Sequence, residues 1–110
     1  MSARDAAKAS DERRGDQRDE VLYRTRAIST DGCTVELVIV NLSMRGLMAR
    51  CETEFAAGDC LRVRLPELGS VDVVVRWWLG GRLGCELKTM IPPGKYPHVL
   101  EHVLHGYRAV

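Results

Sequence analysis

The strongest constraint on this chain is how briefly each apolar run lasts before a turn signal ends it. Leu61-Arg62-Val63-Arg64-Leu65 alternates apolar and basic side chains. In an extended backbone that period puts the aliphatic groups on one face and the guanidiniums on the other. Asp31-Gly32 and Gly80-Gly81 are two-residue hairpin signals with apolar runs on both sides. The pattern predicts six strands, over residues 21–30, 33–42, 46–51, 59–65, 71–79 and 82–88. In the first, Leu22, Arg24, Arg26 and Ile28 share one face, and Val21, Tyr23, Thr25 and Ala27 share the other. Short strands with tight turns between them predict an antiparallel barrel or sandwich.

After Pro92-Pro93-Gly94 the period changes. Tyr96, Leu100, Val103 and Tyr107 recur at helical spacing, with Val99 and Leu104 beside them. An amphipathic C-terminal helix, entered through Pro97, is expected to cover an open end or edge of the sheet. The class is therefore all-β with a C-terminal helix. Residues 1–20 form a charged arm, residues 21–90 the β-domain and residues 91–110 the helical tail. Between Met1 and Val21 the arm has no apolar residue larger than Ala, against five basic and six acidic side chains. Such a segment is expected to be flexible, because it cannot bury enough surface to offset its ordering entropy.

At 110 residues the chain has room for one core. With two Trp, three Tyr and one Phe, that core must be built largely from Val and Leu. A formal net charge of +1 argues against a general binder of nucleic acid polymers, which carries a strong basic excess. Cys33, Cys51, Cys60 and Cys85 include no Cys-x-x-Cys pair, so they read as small hydrophobes in a reduced protein. No apolar run approaches the ~20 residues that span a bilayer. A cytoplasmic protein without membrane insertion is expected.

Two stretches carry candidate chemistry. His98-Val99-Leu100-Glu101-His102 matches a zinc-peptidase pattern literally, with His105 a turn further on. Such chemistry needs a further ligand and a cleft, and a solvated helix face explains these residues as well. Ser43 has no histidine outside that helix to activate it, so no enzymatic constellation emerges and no cofactor is expected. The other stretch is Asn41-Leu42-Ser43-Met44-Arg45-Gly46. Asn41 and Ser43 share a strand face, and Gly46 permits a corner. Upstream, Arg14 and Arg18 stand four positions apart, and Arg13 precedes them. Guanidiniums can grip phosphate or guanine O6 and N7 through paired hydrogen bonds. A carboxamide and a hydroxyl can reach a base edge or phosphate. Together they suit a guanine nucleotide; without the downstream motif, pairing of the arginines with Asp11, Glu12, Asp16 and Asp19 in solvent would be the favoured reading. Of Trp77 and Trp78, one ring is expected in the core and the other outside, where it could stack on a purine.

Arg14-Gly15-Asp16-Gln17-Arg18 followed by Asn41-Leu42-Ser43-Met44-Arg45-Gly46 resembles the PilZ domain signature, Arg-x-x-x-Arg and then Asp/Asn-x-Ser-x-x-Gly. Val75-Arg76-Trp77, Gly80-Gly81 and Gly84-Cys85-Glu86-Leu87 are similar to that family's last two strands, so the resemblance covers about residues 13 to 90. It implies a six-stranded β-barrel that binds the bacterial second messenger cyclic di-GMP, often as an intercalated dimer, and signals to a protein effector. By position it implies ligand contacts from Arg13, Arg14, Arg18, Asn41 and Ser43, with Gly46 shaping the turn; Trp77 is the candidate stacking ring. Leu87 stands where many members carry Phe, and Asn41 replaces the commoner Asp. Two other readings are a PilZ-like protein-interaction module that does not bind nucleotide, and a small barrel for single-stranded nucleic acid. Retention of both arginines disfavours the first; near-neutral charge and few aromatics disfavour the second.

Overall fold

The computed structural model describes residues 17–108, with side chains described as far as Leu104. Six strands close into one antiparallel barrel: β1 (Asp19–Ser29), β2 (Thr34–Leu42), β3 (Gly46–Arg50), β4 (Cys60–Leu65), β5 (Gly69–Leu79) and β6 (Arg82–Leu87). Around the wall the order is β1-β2-β3-β6-β5-β4, closed by pairing of β1 with β4. Hairpin signals account for the local neighbours. Gly32, Gly80 and Gly81 all take positive φ at the two hairpin turns.

Inward residues fill the barrel. Leu37, Ile39, Ala49, Val63, Val73, Val75 and Leu83 are fully buried, while their outward neighbours Glu36, Arg50, Arg62, Arg64 and Arg82 are exposed. In β1, Val21 and Ala27 point inward with Tyr23 packed against the core, and Arg24, Arg26 and Ile28 point out. β1 starts two residues before the expected position, because Asp19 and Glu20 already pair with Leu42 and Asn41.

The barrel has no edge for the helix to cover. Of the two expected placements an end remains, and α1 (Tyr96–Arg108) packs along β1. Its buried face centres on Val99 and Val103, with Tyr96 and Leu100 half-buried and Leu104 39% exposed. Tyr107 and His105 fall beyond the described side chains. The Tyr96 hydroxyl lies 2.7 Å from Asp19 Oδ2 and 2.9 Å from the Leu42 carbonyl, pinning the start of β1 and the end of β2. Tyr96→Phe is expected to lower stability by about 1 kcal/mol. The check is a lower urea midpoint at unchanged slope; an unmoved midpoint would mean this bond contributes nothing net.

Candidate functional site

The β2–β3 corner is built by Ser43. Its backbone N–H donates to the Gly46 carbonyl at 2.9 Å, and its hydroxyl oxygen accepts from the N–H groups of Gly46 at 3.0 Å and Arg45 at 3.3 Å. Ser43 is only 1% exposed, so its hydroxyl works inside the turn. The corner is then stitched to the chain after β6. Leu87 N–H donates to the Arg45 carbonyl and Ile91 N–H to the Met44 carbonyl, both at 2.8 Å.

Two sites of close approach flank this corner. A Cβ on Gly46 would lie 2.7 Å from the Cys85 carbonyl oxygen, so β3 meets β6 more tightly than a side chain allows. A Cβ on Gly84 would lie 2.3 Å from Trp77 Nε1, so the indole rests directly on a bare stretch of β6. The register between β5 and β6 slips by one residue between Val75 and Trp77, leaving Arg76 as the extra residue. Arg76 and Trp77 therefore both face solvent, Trp77 with 41% of its surface exposed, whereas Trp78 packs against the core.

Between these features lies an open concavity of about 270 Å³, lined by Arg18, Arg45, Gly46, Arg76, Trp77 and Glu86 among others. Arg18 reaches it because Asp19, its neighbour, pairs with Leu42 beside the corner. Arg76 Nε donates to Glu86 Oε1 at 2.8 Å. That pair is more than half exposed and contributes little, so an incoming anion could draw the guanidinium away at small cost. Burial pushes the Cys85 thiol up to about 12, which keeps it neutral behind the wall.

Of the residues singled out from sequence, Arg18, Gly46 and Trp77 converge on this concavity. Asn41 does not line it; it stands on β2 opposite Glu20 and Met48. Its carboxamide nitrogen sits 3.9 Å from Met48 Sδ, and its buried Oδ1 has no hydrogen-bond partner among the described residues. A desolvated acceptor left open is costly, and a donor from a ligand or the arm would satisfy it. Arg13 and Arg14 lie outside the described residues. Arg45, Arg76 and Glu86 also line the concavity and are not among the residues singled out from sequence. Arg45 was visible inside the corner motif, but the aim of Arg76 depends on a bulge that no residue type announces.

The helix histidines sit elsewhere. His98 and His102 are exposed, with His102 Nδ1 2.9 Å from the His98 carbonyl and 3.6 Å from Glu67. Among the described residues no group of three potential ligands could hold a metal ion. Nor is any described helix long and apolar enough to cross a membrane.

The concavity thus combines three guanidiniums and a flat ring on a glycine bed at one barrel corner. Compared with known proteins, residues 12–104 match the family model described as the PilZ domain. No curated protein matches the chain.

Proposed function

The chain belongs to the PilZ domain family, and from that premise we propose that it is a cytoplasmic, non-enzymatic receptor for cyclic di-GMP. The observation that carries the reading is the meeting of Arg18, Arg45, Arg76 and Trp77 around one concavity beside the β2–β3 corner. Guanidiniums there suit the ligand's phosphates and the O6/N7 edge of guanine, and the exposed indole suits a purine face. Asn41 offers an acceptor for a guanine N–H. Ser43 and Gly46 act by holding the corner. Arg13 and Arg14 join from the N-terminal arm, which orders over the nucleotide, alone or as an intercalated dimer. Ordering then presents a changed surface to a protein effector.

Trp77→Ala tests the stacking role. Loss of a base–aromatic stack costs about 1–3 kcal/mol, so affinity for cyclic di-GMP is expected to fall about tenfold or more by titration calorimetry. Equal affinity would remove Trp77 from the site. If the unaltered domain ignores the messenger at millimolar concentrations, the receptor reading fails and a nucleotide-independent interaction module takes its place.

A further inference from the structure

On the outer wall of the barrel, among the described residues, two arginines hold carboxylates and a third faces one across the strands. Arg62 stands opposite Asp72 and its Nε donates to Oδ1 at 3.0 Å. Arg26 stands opposite Glu36, and Arg76 holds Glu86. Arg50 of β3, by contrast, stands directly opposite Arg82 of β6. Both are exposed, and neither pairs with a carboxylate among the described residues. Like charges opposed across two strands repel at a Cβ separation of about 5 Å.

That level continues in both directions. Arg50 is opposite Val38, which is opposite Arg24. Arg82 is opposite Leu79, which keeps 76% of its surface exposed and is the most exposed large hydrophobic residue described. Five strands thus present one band: Leu79, Arg82, Arg50, Val38, Arg24. Over its Arg50–Val38–Arg24 part runs a groove of about 670 Å³, with Glu36 and Glu52 also among its lining residues. It shares no lining residue with the concavity beside the corner.

We propose that this band docks an acidic protein segment that sets carboxylates between Arg24, Arg50 and Arg82 and lays an apolar side chain on Leu79. Charge complementarity to the opposed Arg50 and Arg82 selects that occupant, Glu36 of the groove being already faced by Arg26. Three guanidiniums with no carboxylate partner among the described residues, beside exposed aliphatic surface, have the make-up of a protein interface centre. A nucleic acid or anionic membrane would instead want a broad basic field, whereas this chain's net charge is +1 and these guanidiniums lie in one narrow band. The inference rests on the receptor reading only in making the occupant its effector. It supplies the surface that such an effector would use.

The test exploits the repulsion. Arg82→Glu places a carboxylate opposite Arg50, and Arg50→Glu builds the same pair in the opposite sense. Each is expected to raise the thermal midpoint of the isolated full chain by about 1–5 °C. Each is also expected to weaken binding of a short Asp/Glu/Leu peptide at least about threefold, with a matched Asn/Gln/Leu peptide as control. The readout is a titration followed by Leu79 methyl and arginine Nε–H shifts. A midpoint that stays or falls in both variants would overturn the proposal. So would equal affinity for both peptides, or tighter binding to oligonucleotides or phosphatidylserine vesicles than to the acidic peptide. Cyclic di-GMP affinity is measured on the same variants and is expected to be unchanged. Failure here therefore leaves the receptor reading standing, and failure of nucleotide binding leaves the band to be judged by the peptides.

Discussion

Replacing Arg14 and Arg18 together by Ala is expected to weaken cyclic di-GMP binding by about a hundredfold or more. Each side chain would contribute charge-assisted hydrogen bonds of about 1.5–3 kcal/mol, and about 1.4 kcal/mol is a factor of ten. Arg18 carries the geometric half of the argument. Its neighbour Asp19 is locked opposite Leu42 and held by the Tyr96 hydroxyl, so Arg18 starts from a fixed point beside the corner. Being exposed and outside the strands, it has little to do with stability, so the thermal midpoint should stay put. The Lys pair should fall between Ala and Arg, since an ammonium keeps the charge but loses the bidentate fork. Full affinity in the Ala pair, measured by calorimetry, would sink the arginine clamp. Affinity that falls with salt in the unaltered chain and hardly at all in the Ala pair would support it.

Local pairing was legible in the sequence, and non-local pairing was not. Asp31-Gly32 and Gly80-Gly81 fix two hairpins, and the alternation around Leu61, Val63 and Leu65 fixes which face is buried. Neither says that β3 lies against β6 or β1 against β4, because those partners are far apart in sequence. The opposed pair Arg50 and Arg82 was therefore invisible, since each sits in an ordinary amphipathic strand. The same holds for the helix. Its period was clear, but whether it would meet an open end or an edge was not; the closed barrel has no edge, and the helix buries Val99 and Val103. At the site, Asn41 and Ser43 were expected to share an exposed face. The register slip between Ile39 and Asn41 and the tight turn instead put Ser43 under the corner, as its hinge.

Gly46→Ala is expected to destabilise the barrel by about 1–3 kcal/mol or more, with a thermal midpoint lower by roughly 10 °C. The reason is space. Gly46 is not among the glycines with positive φ, but its added methyl would meet the Cys85 carbonyl oxygen at 2.7 Å. That oxygen is backbone in a paired strand and cannot swing aside. Relief requires β3 and β6 to part where Gly46 faces Glu86, straining the Leu87 bond to Arg45 and the Ser43 turn in the same movement. Gly84→Ala provides the contrast. Its methyl meets the Trp77 indole, a side chain able to rotate away. That variant should lose less stability and more affinity for cyclic di-GMP, because the ring leaves its bed. Urea unfolding and calorimetry on both variants separate the two effects. Should Gly46→Ala unfold with the unaltered protein while Gly84→Ala binds normally, then neither the β3–β6 approach nor the seating of Trp77 constrains the corner.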